Sequence, residues 1–290
     1  MSEVITYKCE LKEGIHARPA GHIERLCNTF AAEVSWKNNR NGLAGSAKSA
    51  LSLVATDTLF NDVCDIVIEG ADAPAQAEKL RALLKKLPAY EEVREAPSAT
   101  EAGYLPRSLR EIQPHFIQGT RVSGGVAIAR PLVVQSLTLE EMLARNPGTQ
   151  GPVDTEMARL LSGLEALKCE KHAALESKTG VEHEIIQAHL SIITDAAFQS
   201  AMTDYIQQHN NAWSAVITAA AAFCEMLNRS SSKYIKERVL DVLDITTQLL
   251  VAIYGEASLP KNSLDINSAS IIFADSLTPS KFLSIDKKHL

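Results

Sequence analysis

Apolar and polar residues alternate from Val4 to Leu11, with Ile5, Tyr7, Cys9 and Leu11 on one face and Thr6, Lys8 and Glu10 on the other. That period of two predicts a half-buried strand. The period turns helical near Ala17, where Ile23, Leu26, Cys27, Phe30 and Ala31 recur at i, i+3, i+4, i+7 and i+8. Pro19 suits the first turn, which has no use for its missing N–H. Ala32, Val34 and Trp36 alternate again, and Asn38 to Gly42 is a turn leading into a third short strand. Lys48 to Ala55 reads as a short helical segment and Asp65 to Glu69 as a fourth strand. Asp72 is placed to cap a helix with Leu80, Leu83, Leu84 and Leu87 on its apolar face. The order βαββαβα predicts an α+β open-faced sandwich over residues 1–90, one sheet covered by helices on one face.

Periodicity fades over residues 91–116, a Glu-rich then Pro-containing stretch that reads as an interdomain linker. Gly124 and Gly125, ahead of the apolar Pro131-Leu-Val-Val, read as a turn between strands and form no GxGxxG pattern. From Asp154 to Gly255 the pattern is almost continuously helical. One long helix carries Met157, Leu160, Leu161 and Leu164 and ends at Gly180; others are expected at 181–193, at 196–209, around Trp213 to Leu227, and at 231–254. Short breaks between amphipathic helices predict an antiparallel bundle. A strand then returns at Ser270 to Ala274, and Thr278-Pro279-Ser280 opens a further helix.

Composition narrows the function classes. The chain has 290 residues and a net charge of −6, with 11 basic and 11 acidic residues in positions 1–90 and 18 against 24 beyond them. Nucleic acid is therefore an unsuitable partner. No apolar run approaches membrane-spanning length and the N-terminus lacks a signal-peptide pattern, so a cytoplasmic protein without membrane insertion is expected. Cys9, Cys27, Cys64, Cys169 and Cys224 lack CxxC spacing and read as small reduced core residues, with no metal site expected.

The candidate chemistry sits at Gly14-Ile15-His16-Ala17-Arg18-Pro19-Ala20. His16 falls at the start of a helix, where free N–H groups and the macrodipole favour an anion. A neutral imidazole nitrogen is a nucleophile near pH 7, and a phosphoryl group on it would lie beside those N–H groups and the Arg18 guanidinium. The stretch resembles the active-site motif of HPr, the histidine-containing phosphocarrier of the sugar phosphotransferase system, over residues 1–90. The resemblance implies that His16 accepts the phosphoryl group and Arg18 stabilises it. Ser49, in Lys48-Ser49-Ala50, matches a position at which some HPr proteins are regulated by a kinase; an ordinary helix N-cap is the simpler reading.

Residues 118–290 resemble the N-terminal domain of enzyme I of the same system. Val122-Ser-Gly-Gly-Val-Ala-Ile, Ala188-His189-Leu190 with Asp195, Tyr234-Ile-Lys-Glu-Arg238 with Asp241-Val-Leu-Asp244, and Ala274-Asp275 through Leu277-Thr-Pro-Ser280 carry it. It implies a helical HPr-binding bundle at 138–256, inserted in a partial α/β swivelling domain formed by 117–137 and 257–290. His189, Ile192, Phe198, Ile235 and Arg238 match the HPr-docking surface, core packing being the competing reading for the apolar three and for His189. Acidic residues that enzyme I proteins tend to carry after the aspartate are replaced by Ala196-Ala197, weakening electrostatic pairing with HPr. Thr278 matches a hydroxyl that supports the enzyme I histidine.

Joined in this order, the two modules resemble the multiphosphoryl transfer proteins. The family's Gly-Gly-x-Thr-Ser-His stretch does not occur here, nor the phosphoenolpyruvate-binding barrel that follows it. The chain is thus expected to be a fragment of a longer polypeptide, of phosphoenolpyruvate-protein phosphotransferase type when full length, and not to autophosphorylate by itself, with magnesium and phosphoenolpyruvate serving only the missing C-terminal part. The favoured reading is phosphoryl relay from an enzyme I-type phosphohistidine through His16 to a sugar-transport EII component. The alternative is a non-catalytic adaptor binding phosphotransferase-system partners. A nucleotide-dependent phosphotransferase lacks support, since no Walker-type loop or metal-ligand cluster is present.

Overall fold

The computed structural model describes residues 2–90, 112, 124–147, 151–209, 211–230, 235–236, 238–259 and 268–285. The expected linker at 91–116 lies outside these residues apart from Ile112. The first unit follows the βαββαβα order: β1 (Ser2–Lys8), α1 (Ala17–Cys27), β2 (Glu33–Asn38), β3 (Ala44–Ser46), α2 (Ala50–Ala55), β4 (Val63–Glu69) and α3 (Ala73–Leu84). The four strands form an antiparallel sheet in the order β1-β4-β2-β3. Register follows the period-two pattern, with Ile5 opposite Ile66 and Val34 opposite Ile68. These residues, with Trp36, point to the helix-covered face, where they bury against Ile23, Leu53 and Leu80. The sequence expectation differs at one cap. Asp72 precedes α3 but its side chain makes no capping bond, its backbone being bent away from the extended conformation a capping side chain needs.

The second unit begins with β5 (Arg130–Val134), which pairs in parallel with β6 (Ser270–Ala274). Between them run α4 (Leu139–Ala144), α5 (Val153–Ser177), α6 (Val181–Ile193), α7 (Ala196–His209), α8 (Ala212–Asn228) and α9 (Val239–Tyr254), and α10 (Pro279–Ser284) follows β6. The bundle is thus inserted between two strands of one sheet, and a parallel pair requires such a long crossover. Its core gathers Leu160, Phe198, Met202, Trp213, Val216, Ile245 and Leu249. The turn between strands expected at Gly124 and Gly125 draws its first strand from positions outside the described residues, and Gly124 to Ala129 itself has no strand pairing. Gly180 does not end α5. That helix stops at Ser177, and Gly180, at φ 63°, is the residue that starts α6. α4 precedes the helical run that periodicity places from Asp154 but lies within the bundle bounds 138–256, and its start is plain: Thr138 and Glu141 form a reciprocal capping box. Four cysteines are buried as expected, with burial raising the Cys27 thiol pKa to about 12, while Cys169 is exposed because it lies on the outer face of α5. Among the described residues no helix is long and apolar enough to cross a membrane.

Candidate functional site

His16 is the N-cap of α1, in extended backbone, and its Nδ1 accepts the N–H of Arg18 at 3.4 Å. The turn that delivers it is specific. Gly14 has φ +71°, and a Cβ there would sit 2.4 Å from the Thr58 carbonyl oxygen, so only glycine lets this loop close on its neighbour. Ile15 N–H then bonds the same carbonyl at 2.8 Å, and the imidazole is fixed against the helix end with 7% exposure. Acceptance at Nδ1 places its lone pair toward the helix N-terminus and the proton on Nε2.

The two units meet at this end of the first module. Arg18 Nη2 pairs with Glu184 Oε2 of α6 at 2.5 Å. Ser191 Oγ of α6 donates to Glu24 Oε2 of α1 at 2.9 Å. Asp195, fully buried between α6 and α7, accepts from Ser49 Oγ at 2.6 Å and from Leu51 N–H at 3.1 Å, while its other oxygen accepts Phe198 N–H at 3.0 Å. Ser230 hydroxyl bonds Asp57. A cleft of about 140 Å³ lies between α1 and α6, with Arg18, Arg25 and Arg238 among its lining residues. Beside it Ala17, Leu51, Val54, Ile192, Leu227 and Val242 line an apolar pocket that both units share.

Gly21 on α1 lines the cleft. A Cβ there would meet Arg25 Nη1 at 3.6 Å and Ser191 Oγ at 3.8 Å, ordinary contacts. Gly21→Ala is therefore expected to stabilise the first module by ~0.5–1 kcal/mol through helix propensity without opening the contact. Calorimetry should show a raised transition, and a lowered one would mean that the helix cannot carry the methyl group.

The remaining sequence candidates scatter. Ser49 is the N-cap of α2, accepting Ser52 N–H at 2.9 Å while donating to Asp195. Ile192 lines the shared pocket, and Arg238 lines both cavities while pairing with Asp241 at 2.9 Å. Ile235 is fully buried. Two of the expected docking residues make contacts inside the bundle. Phe198 packs edge-on against Phe223, ring centroids 5.5 Å apart, because so large an apolar ring is best buried in the bundle core. His189 faces α9, its Nε2 3.6 Å from Asp244 Oδ2, and burial lowers its pKa against the opposing pull of Asp244 and Asp241. Asp244 also accepts Ser280 N–H at 2.7 Å, so this buried pair ties the bundle to α10. Thr278, the N-cap of α10, is buried with its hydroxyl unbonded among the described residues. Glu24 and Ser191 were not singled out in the sequence, and no local signal could have found them, since 167 positions separate them. No cluster of three or more His, Cys, Asp or Glu that could hold a metal ion occurs among the described residues.

Two families match the chain. Residues 4–86 match the PTS HPr component phosphorylation site family, and residues 118–238 match the PEP-utilising enzyme, N-terminal family. Multiphosphoryl transfer protein 2 of Escherichia coli (strain K12) is 36% identical over 100% of this chain and 35% of its own length. The phosphoenolpyruvate-protein phosphotransferase of Priestia megaterium is 32% identical over 60% of this chain and 30% of its own. A crystal structure of the phosphocarrier protein HPr from Bacillus anthracis str. Ames covers 28% of this chain and 95% of its own at 27% identity, with a TM-score of 0.26. The chain spans about a third of the length of the multiphosphoryl transfer protein it matches.

Proposed function

Because this chain joins an HPr domain to an N-terminal domain of PEP-utilising enzymes, we propose that it works as a phosphoryl relay of the phosphotransferase system in the cytoplasm. In this reading His16 takes a phosphoryl group from an enzyme I-type phosphohistidine and passes it to an EII-type sugar-transport component. The observation that carries the proposal is the Nδ1 of His16 held at the N-terminus of α1 beside Arg18. The Nδ1 lone pair attacks phosphorus, the donor's P–N bond breaks, and the donor imidazole leaves with that electron pair. No proton need leave Nδ1, because the ring proton sits on Nε2. Charge on the three phosphoryl oxygens is met by the free N–H groups of the first turn and by the Arg18 guanidinium once it turns from Glu184. Ile192, Arg238 and their neighbours supply the docking face on the bundle. Ser49 is occupied by Asp195 in this arrangement, so modification there requires the modules to part. Thr278 has the place of a hydroxyl serving an enzyme I histidine, which this sequence does not contain.

Phosphoenolpyruvate and magnesium alone are expected to leave the chain unlabelled, whereas catalytic amounts of a complete, compatible enzyme I should add one acid-labile, alkali-stable phosphate. Labelling without enzyme I, or an acid-stable product, would overturn the relay. Complete absence of labelling would favour the adaptor.

A further inference from the structure

The contact between the modules contains one group that works against it unless its partner is of a particular kind. Glu24 is an acid with 5% exposure, pressed against α6, and its carboxylate receives one neutral donor, Ser191 Oγ, at 2.9 Å. The charged groups that act on it are Asp195, which opposes its ionisation, and Arg25, which favours it weakly. On the bundle side, the residues next in sequence to Asp195 are Ala196 and Ala197, which bring no charge. A carboxylate at position 191 would add a second acid to this dry contact, where two acids cannot both ionise without setting like charges side by side.

We propose that Glu24 is a specificity residue: it fits the first module to a bundle with an uncharged hydroxyl at the Ser191 position, as in this chain, and rejects bundles that carry a carboxylate there. Rejection through a repulsive contact is the economical route to selectivity, since the apolar pocket around Ile192 and Leu51 offers little to tell one bundle from another. The inference concerns docking alone and does not depend on phosphoryl transfer at His16.

Burial supports the same geometry by raising the Glu24 carboxyl from its ordinary 4.5 to about 7. The sign is that of a group protonated on docking. Its favourable contribution is complete below the free pKa and is lost as pH rises through about 7, so docking should be about tenfold stronger at pH 6 than at pH 8. Besides Asp195 and Arg25, the titratable and charged groups at the contact include His16 and Arg18 on the first module and Glu184, Arg238 and Asp241 on the bundle, and Glu24→Gln separates the Glu24 contribution from theirs.

The test measures amide hydrogen exchange in α1, α2 and α6 of the full chain, with circular dichroism to confirm that each variant is folded. Ser191→Asp should lower protection at the contact tenfold or more beyond the loss in Ser191→Ala, which removes one neutral hydrogen bond and adds no charge. Glu24→Gln in the Ser191→Asp background should restore protection, because the amide donates to the new carboxylate. Glu24→Gln alone should flatten the difference between pH 6 and pH 8. Protection unaffected by Ser191→Asp, equal loss in Ser191→Ala, or failure of Glu24→Gln to rescue would each overturn the proposal, whatever the labelling of His16 shows.

Discussion

Alanine at position 16 is expected to abolish acid-labile labelling altogether, and alanine at position 18 to slow it by about a hundredfold. The two differ because the groups do different things. In the proposed relay His16 supplies the atom that bonds phosphorus, so its loss leaves no alternative route, whereas Arg18 would stabilise charge that the helix N-terminus also meets. Removing one such preorganised donor costs ~10²–10³ in rate in other enzymes. Arg18→Lys should recover part of the loss, since an ammonium keeps the charge and loses the fork. Stability should barely change on Arg18→Ala, because its pair with Glu184 joins side chains 31% and 44% exposed, and such pairs contribute at most about 1 kcal/mol. Quenched-flow labelling gives the rates. Labelling that survives His16→Ala, or an unchanged rate in Arg18→Ala, would place the chemistry elsewhere.

Asp195→Ala should separate the modules without unfolding either. The carboxylate is fully buried and holds donors from both sides: Ser49 Oγ and Leu51 N–H from the first, Phe198 N–H from the second. Each donor stranded in a dry contact costs about 1–3 kcal/mol, so the docked state should lose ~2–4 kcal/mol. The chain escapes most of that by opening, since Ser49 keeps its bond to Ser52 N–H within α2 and Leu51 N–H can reach water. α7 loses its capping bond, worth ~1 kcal/mol, which should appear as a small drop in the bundle's own melting transition. Amide exchange in α2 should rise while the β-sheet stays protected. Unchanged exchange in α2 would show that Asp195 contributes nothing to docking.

What the sequence made legible was whatever depends on near neighbours. α6 and α7 begin and end where periodicity places them, and His16 falls at the start of α1 because Pro19 and Ile23 fix that helix locally. Errors arose where two local readings compete. Glycine either ends a helix or starts one, and Gly180 does the second. Non-local choices were not legible at all. Nothing around His189 says that it faces Asp244 across to α9. Phe198 could pack its apolar ring in a docking surface or in the bundle, and nothing near it in sequence tells of its contact with Phe223, 25 positions along. The contact between modules belongs to this class, since its hydrogen bonds join residues more than 140 positions apart.

The chain has two tryptophans, and the fold gives one to each unit. Trp36 is fully buried on β2, its Nε1–H on Thr58 Oγ1 at 3.3 Å with Tyr7 edge-on at 5.5 Å. Trp213 is fully buried on α8, its Nε1–H on the Met142 carbonyl at 2.9 Å with Tyr254 edge-on at 5.2 Å. Each unit therefore carries its own optical reporter. In a denaturant titration read by intrinsic fluorescence, Trp36→Phe leaves a signal from the bundle alone and Trp213→Phe one from the sandwich alone. Coincident midpoints in the two variants would mark the modules as one cooperative unit, and separated midpoints as two that unfold independently.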